Sequence, residues 1–243
     1  MSDHWGWRGR IGVIYPASGR NEREMAEFLP PGVSLHFSRV HIPLRETGVL
    51  DDVVASYPEL QRAAKEIAAV DPACVLWPCT SENIRRGEVG EREQASAIAA
   101  VCGERVVTAA ASVRAALAHL GVTRIGLGAP YPEEVVAALV AYFESFGITC
   151  LTRVALGLSG DRAICALLPE DTYCLASSAD HTQAEAVFIS CGSMRIQPVL
   201  SHLEDELGKP VFTSTMAVMW NSLRALSISA PLSAMGQLFA SRR

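Results

Sequence analysis

Short apolar runs alternate along the chain with longer stretches in which apolar residues recur at helical spacing. Four apolar runs in the first half are predicted to be strands: 10–16, 33–40, 75–81 and 105–107. The helical patterns between them are 21–29, 51–70, 91–102 and 110–120. Continuous apolar runs are typical of buried parallel strands, whereas the alternation in 33–40 is typical of a strand near the sheet edge. The first half is therefore predicted to be a small α/β unit.

The same order of elements begins again after Gly121. Three blocks of the second half resemble blocks of the first half in the same order: 124–130 and 10–16, 187–193 and 75–81, 208–213 and 103–108. Their offsets are all roughly 110 residues, which indicates a duplicated unit. We therefore predict an α/β fold with two pseudo-symmetric lobes, each a small parallel sheet flanked by helices, and an active site between the lobes.

The repeat also predicts the domain boundaries. Residues 1–115 are expected to form the N-terminal lobe and residues 116–215 the C-terminal lobe. The helical pattern 215–226 corresponds to 110–121, which links one lobe to the other. The C-terminal helix and tail, about 216–243, are therefore predicted to pack back on the first lobe.

Composition narrows the class of protein. The chain has 243 residues, of which 49% are hydrophobic and 19% charged, as in folded globular proteins and unlike disordered chains. Its net charge of −5 argues against a nucleic-acid partner, because phosphate binding requires a basic surface. No apolar run approaches the roughly 20 residues that span a bilayer, and residues 1–10 lack the apolar core of a signal peptide. We expect a cytoplasmic protein with no membrane partner, and a homo-oligomer is compatible with the sequence.

The seven cysteines have no CxxC spacing. An odd number of cysteines without that spacing is typical of reduced thiols, and it predicts neither a disulfide framework nor a metal site. Five are predicted to be small buried apolar residues: Cys74, Cys102, Cys150, Cys165 and Cys174. Cys79 and Cys191 differ because each ends an apolar run and is followed by small residues rich in hydroxyl groups. Ligands bind at the carboxyl ends of strands in open α/β sheets, so we expect both thiols to face one cleft.

Two opposed thiols can perform chemistry on a carbon next to a carboxylate. Removing a proton there needs a base and donors that hold the developing enediolate. A thiolate and a thiol on opposite faces allow racemisation, and a thiolate can also add to a double bond, allow rotation and leave. Backbone N–H groups at a helix start after each strand would lower the thiol pKa. The chain has no P-loop or dinucleotide glycine motif, so no cofactor is predicted.

An ordered set of motifs spans nearly the whole chain. The motifs are Ile11-Gly12-Val13-Ile14-Tyr15-Pro16, Cys79-Thr80-Ser81 with Arg86-Gly87, Ala129-Pro130-Tyr131, Ile189-Ser190-Cys191-Gly192, Gly208-Lys209-Pro210-Val211 and Gly236-Gln237-Leu238-Phe239. Together they resemble the aspartate/glutamate racemase superfamily, and within it the branch of maleate cis–trans isomerases and arylmalonate decarboxylases. The resemblance implies the same two-lobed fold and chemistry on a small carboxylate.

The resemblance also implies roles for individual residues. Cys79 and Cys191 match the two catalytic cysteines of the racemases and maleate isomerases, whereas the arylmalonate decarboxylases keep only the second and have glycine at the first. The residues with implied roles in substrate binding are Pro16, Ser18, Asn21, Thr80, Ser81, Tyr131, Gly192 and Ser193. Maleate isomerases carry an asparagine three residues after the proline that matches Pro16. Here that residue is Gly19, and the nearest asparagine is Asn21.

The sequence therefore predicts a cofactor-independent isomerase, a cis–trans isomerase or racemase, that acts on a small carboxylic or dicarboxylic acid. Two alternatives stay open. One is a decarboxylase-like lyase that uses mainly Cys191, and the other is a non-catalytic carboxylate-binding protein that retained the cleft. The presence of Cys79 favours the two-thiol isomerase, and the thiol pair favours an enzyme because binding alone does not require opposed cysteines.

Overall fold

The structure is a computed structural model, and it describes residues 6–41, 57–85, 87–103, 105–228 and 235–240. The elements of the first half are β1 Gly9–Pro16, α1 Glu22–Glu27, β2 Val33–Val40, α2 Tyr57–Ala68, β3 Cys74–Trp77, α3 Thr80–Arg85, α4 Gly87–Cys102, β4 Val106–Thr108 and α5 Ala109–Leu120. Those of the second half are β5 Arg124–Ala129, α6 Glu133–Glu144, β6 Thr149–Ala155, α7 Asp161–Ile164, α8 Pro169–Ala179, β7 Ala186–Ile189, α9 Leu200–Leu207, β8 Val211–Thr213, α10 Ser214–Ala225 and α11 Gln237–Ala240.

The strands form two separate four-stranded sheets, and every pairing within them is parallel. The strand orders are β2-β1-β3-β4 in the first sheet and β6-β5-β7-β8 in the second. Each strand of the second sheet therefore occupies the place of its counterpart in the first. The predicted two-lobed α/β fold is confirmed, and the duplication that the sequence indicated is present in the topology.

The strands follow the hydrophobic pattern closely. All four residues of β3 and of β7 are buried, as expected for inner strands covered on both faces. The alternating run predicted to lie near an edge is β2, and it is one of the two edge strands of its sheet. The predicted helix 51–70 is described only from Tyr57, and its first part lies outside the described residues. The short helix α7 and the helices α8 and α9 were not predicted.

Helices α5 and α10 occupy equivalent places after the last strand of each sheet. Thr108 and Thr213 cap them, because each side chain accepts a hydrogen bond from the backbone N–H three residues later. The two helices pack against each other, and α10 also contacts β3 and β4 of the first sheet. Beyond α10, Phe239 stacks on Phe28 of the first half, with ring centroids 5.4 Å apart. These contacts agree with a C-terminal segment that returns to the first lobe, while the boundaries at residues 115 and 215 stay a prediction.

None of the described helices is both long enough and apolar enough to cross a membrane.

Candidate active site

The loops that follow β3 and β7 lie close together. Strand β3 ends at Trp77, earlier than the predicted run 75–81, because Pro78 has no N–H to donate to a neighbouring strand. Strand β7 likewise ends at Ile189. A Cβ atom placed on Gly192 would lie 3.2 Å from the carbonyl oxygen of Pro78, so the two loops are almost in contact. The structure therefore brings the neighbourhoods of the two predicted catalytic cysteines together.

Tyr131 lies beside the Cys191 thiol. It follows β5, and its hydroxyl group donates a hydrogen bond to the Cys191 thiol. Burial raises the pKa of Tyr131 well above its usual value, and the nearby charges of Cys191, Cys79 and Asp161 raise it further. Tyr131 therefore stays protonated and acts as a hydrogen-bond donor in the cleft. That Cys79 and Cys191 face one cleft stays a prediction, and the close approach of Gly192 to Pro78 agrees with it.

The Cys191 thiol is buried, and burial raises its pKa to about 11. Hydrogen bonds from the backbone N–H of Ser193, at 3.3 Å, from Tyr131 and from the Met194 N–H lower the pKa but do not outweigh burial. The predicted lowering of the thiol pKa is therefore wrong for Cys191. Part of the reason is local structure, because a loop and no helix start follows this cysteine. The same donors can still hold a Cys191 thiolate that forms transiently during a reaction.

Cys79 is half-buried in the short link between β3 and α3. Thr80 and Ser81, which were predicted to continue the strand, are the first two residues of α3. The Thr80 hydroxyl group is buried and has no hydrogen-bond partner among the described residues, and the same holds for Ser190. Buried hydroxyl groups normally have a partner, so Thr80 and Ser190 are exceptions among the described residues.

The rates of alkylation of Cys79 and Cys191 should depend differently on pH. The thiolate is the reactive form, so Cys191 should react slowly with iodoacetamide at pH 7 and about tenfold faster for each pH unit up to pH 10. Half-buried Cys79 should be modified first, and a bound dicarboxylate should protect it. Mass spectrometry of the labelled peptides measures both rates, with exposed Cys174 as an accessible control. If Cys191 reacted as fast as Cys174 at pH 7, the raised pKa would be incorrect.

A buried polar network connects the first lobe to the loop after β7. The Asn21 side chain donates to Glu24 at 2.7 Å and to the Thr215 hydroxyl at 3.3 Å. Thr215 in turn donates to the carbonyl oxygen of Gly192 at 3.1 Å. Both amide hydrogens of Asn21 thus form hydrogen bonds within the protein. Asn21 therefore positions the Gly192 loop through Thr215.

Glu24 completes this network from the other side. Its carboxylate accepts hydrogen bonds from the backbone N–H groups of Ile196, at 2.6 Å, and Gln197, at 2.9 Å. Burial raises the pKa of Glu24 in spite of these donors. The carboxylate therefore holds the segment after Cys191 against helix α1.

Replacing Glu24 with alanine should lower the free energy of unfolding by about 2–4 kcal/mol, because one buried and one half-buried N–H group lose their acceptor. Urea unfolding measures this difference. The matched control is Glu27→Ala on the same helix, because Glu27 forms an exposed ion pair with Arg23. The control should cost less than about 1 kcal/mol. If both substitutions lowered the free energy of unfolding equally, Glu24 would not hold the segment after Cys191 against α1.

The remaining predicted site residues lie on the loop after β1. Pro16 ends β1, and its carbonyl oxygen accepts from the Arg39 guanidinium at 3.2 Å. Ser18 is exposed, and its hydroxyl group donates to the carboxylate of Asp161. A Cβ atom on Gly19 would lie 2.5 Å from the Tyr15 ring, so an asparagine there would require this loop to move. The loop therefore approaches α7 of the second lobe through Ser18.

Three residues of this site were missed by sequence reasoning. Tyr15 is buried, its hydroxyl group accepts from the Asn21 N–H at 3.2 Å, and burial together with Cys191 and Cys165 raises its pKa to about 12. Asp161 and Cys165 come from α7 and its end. Cys165, predicted to be a buried apolar residue, is half-buried, and its thiol donates to the Ser18 carbonyl oxygen at 3.6 Å. The position of Tyr15 at a strand end could have been noticed, but α7 carries no such signal.

No group of three or more His, Cys, Asp or Glu side chains that could hold a metal ion occurs in the described part of the chain.

Two four-stranded parallel sheets flanked by helices, with a cysteine after each of the equivalent inner strands β3 and β7, define a two-lobed α/β protein. The chain belongs to the arylmalonate decarboxylase family, since the model of that family matches residues 11–239. Among its relatives, the maleate isomerase of Nocardia farcinica is 26% identical over 94% of each chain. The arylmalonate decarboxylase of Bordetella bronchiseptica is 25% identical over 87% of this chain and 85% of its own.

Solved structures agree. The Nocardia farcinica maleate cis–trans isomerase bound to TRIS has a TM-score of 0.86 and 25% identity, covering 96% of this chain and 98% of its own. The resemblance stated from the motifs is therefore confirmed: the chain is an enzyme of the maleate isomerase and arylmalonate decarboxylase branch.

Proposed function

We propose that the enzyme is a cofactor-independent cis–trans isomerase of a small unsaturated carboxylate, with Cys79 as nucleophile and Cys191 as proton donor. The observation that carries this proposal is that the loops bearing the two thiols are almost in contact, since a Cβ atom on Gly192 would lie 3.2 Å from the carbonyl oxygen of Pro78. The assignment of roles follows from protonation. Because burial raises the pKa of Cys191 to about 11, it rests as a thiol and can give a proton. Cys79, which is less buried, is left as the nucleophile.

The reaction proceeds by addition and elimination. The Cys79 thiolate adds to the alkene carbon β to the substrate carboxylate, a C–S bond forms, and the π electrons move onto the α carbon as an enediolate. The α carbon then takes the proton of Cys191. Rotation about the new single bond follows. The Cys191 thiolate removes the α proton, the C–S bond breaks, and the trans product and both starting thiol states are restored.

Residues around the thiols are proposed to stabilise each charged species that forms in this reaction. Thr80, Tyr131 and the N–H groups near Gly192 are the proposed donors to the carboxylate that becomes the enediolate. Tyr131 and the Ser193 N–H hold the transient Cys191 thiolate. The relatives with maleate isomerase activity in their names agree with this substrate class.

A lyase is the second candidate, because the family model and one relative are arylmalonate decarboxylases and the donors concentrate around Cys191. A panel assay in deuterated water decides between the two. Maleate and related cis-alkenoates, aspartate, glutamate, hydantoins and arylmalonates would be incubated with the protein, and products followed by NMR and chiral chromatography. Isomerisation of a cis-alkenoate with deuterium at the α carbon supports the proposal. If arylmalonates were decarboxylated efficiently and no other substrate reacted, the protein would be a lyase and Cys79 would take no part in the reaction.

We also propose where the enzyme is located and which partners it has. Cysteine usage without disulfide spacing favours a cytoplasmic enzyme. The acidic net charge disfavours a nucleic-acid partner. A homo-oligomer is compatible with the fold, and sedimentation equilibrium would determine it.

A further inference from the structure

Asn83 lies in α3, the short helix that follows Cys79. Its side chain is fully buried, and its backbone N–H donates to the carbonyl oxygen of Cys79 at 3.1 Å. The two residues therefore share one turn of helix and the hydrogen bond that closes it. A displacement of Asn83 would move the backbone of Cys79 with it.

The carboxamide oxygen of Asn83 binds the start of α5. It accepts hydrogen bonds from the backbone N–H groups of Ala109, at 2.9 Å, and Ala110, at 3.4 Å. These residues begin α5, and N–H groups in the first turn of a helix have no partner within that helix. The capping residue Thr108 accepts only from the next N–H, that of Ala111. Asn83 thus supplies an acceptor that α5 does not provide itself, and α3 is held against α5.

The amide nitrogen of Asn83 binds α4 and, through it, β3. Nδ2 donates to Oε1 of Gln94 on α4 at 3.0 Å. The same oxygen accepts a hydrogen bond from the indole N–H of Trp77, the last residue of β3, at 3.2 Å. All three side chains are buried. Because Trp77 precedes the link that carries Cys79 and Asn83 follows it, both ends of this link are tied to one acceptor.

The second lobe holds its cysteine differently. The residue four positions after Cys191 is Arg195, which is exposed and donates to the carbonyl oxygen of Leu167 at 3.0 Å. The segment after Cys191 is held by Glu24 instead. The counterpart of Asn83 is therefore an arginine, so the duplicated fold forms without a buried asparagine at this place. The contacts of Asn83 belong to the Cys79 side and are not a requirement of the repeat.

We infer that Asn83 is a positioning residue for Cys79. Its carboxamide fixes α3 to α5 and to the pair of Gln94 and Trp77, and the shared turn passes this restraint to the backbone that carries the thiol. The inference rests on the proposed function, since it takes Cys79 as the nucleophile. Addition to an alkene carbon requires the reacting atoms to be aligned, and a misplacement of about 1 Å can lower the rate about 10²-fold.

The test compares wild type with Asn83→Ala, Asn83→Asp and Asn221→Ala. Asn83→Ala removes every hydrogen bond of the carboxamide. Asn83→Asp keeps an acceptor for the N–H groups of α5 and loses the donor to Gln94, so it leaves the start of α5 capped. Asn221→Ala is the matched control, because the Asn221 amide donates to Ser112 of the same helix α5 at 3.1 Å but comes from α10.

Both Asn83 variants should lower kcat for a cis-alkenoate by about 10²-fold and change KM by less than about threefold. The reason is that the proposed donors, Tyr131 and the N–H groups near Gly192, remain while the alignment of Cys79 is lost. Asn221→Ala should keep kcat within about threefold of wild type. An equal loss of kcat in Asn221→Ala would indicate a general loosening of α5 and overturn the inference. Normal kcat in every Asn83 variant that folds would overturn it too.

A second measurement does not depend on turnover. On the high-pH plateau of alkylation the Cys79 thiol is fully ionised, so its accessibility sets the rate with iodoacetamide. Release of α3 should raise this plateau rate by about fivefold or more in both Asn83 variants, while exposed Cys174 stays within about twofold. If the Cys79 rate rises but the wild type isomerises no member of the panel, the proposed function fails and the hold of Asn83 on Cys79 stands. If the wild type isomerises a cis-alkenoate and the Cys79 rate is unchanged in the variants, the positioning role alone fails.

Discussion

Replacing either cleft cysteine with serine should lower kcat by at least about 10³-fold, because a neutral hydroxyl is a far weaker nucleophile and base than a thiolate. Cys79→Ser should lose the addition step entirely. Cys191→Ser should lose efficient proton transfer while it keeps the nucleophile. Initial rates of cis–trans isomerisation on the best substrate of the panel measure both effects.

The two variants should also differ in what accumulates. In Cys191→Ser, Cys79 can still add to the alkene with a proton from water, but removal of the α proton is slow. Intact mass spectrometry should therefore detect an adduct of protein plus one substrate, located on Cys79. Cys79→Ser should form none. The control is Cys174→Ser, which alters an exposed cysteine and should leave the rate unchanged. Near-normal turnover in either cleft variant would remove that cysteine from the mechanism.

Replacing Cys79 with glycine should change the kind of reaction and not only its rate. Without the first thiol, addition to a double bond and proton transfer on two faces are both lost. Cys191 remains with its donors and can protonate an enediolate from one face. The variant should therefore decarboxylate an arylmalonate slowly: the C–C bond breaks, CO₂ leaves, and the electron pair on the α carbon takes the Cys191 proton.

Chiral analysis of the product formed in deuterated water tests this expectation. A single hand with one deuterium at the α carbon is expected, because only one acid is left. The double variant Cys79→Gly with Cys191→Ser is the control, and its rate should fall by a further factor of about 10² or more. A racemic product, or equal rates in the single and double variants, would show that protonation comes from solvent.

Local sequence patterns determined much of the fold of this protein. Continuous apolar runs buried on both faces specify inner parallel strands, and the alternation in 33–40 specified the edge strand β2. The repeat predicted that the two halves share one arrangement of strands, because duplicated sequences place equivalent strands equivalently, while the strand order itself came from the structure. Position at a strand end was enough to select Cys79 and Cys191, since parallel strands direct their carboxyl ends to one edge.

Only the tertiary structure determined the protonation state of the Cys191 thiol. Sequence reasoning expected backbone N–H groups to lower the Cys191 pKa, yet burial raises it to about 11. Burial depends on what packs around a thiol from distant parts of the chain. It cannot be read from the neighbours of a cysteine in the sequence.

Long-range contacts decided the rest of the cleft. Asp161 and Cys165 contact the loop after β1, because Ser18, more than a hundred residues earlier, meets α7 and its end. Asn21 matched a family pattern only loosely, and its two buried hydrogen bonds assign it to positioning the Gly192 loop through Thr215. A residue's position relative to its own strand follows from local periodicity, whereas its partners across the lobes follow from how the two halves pack.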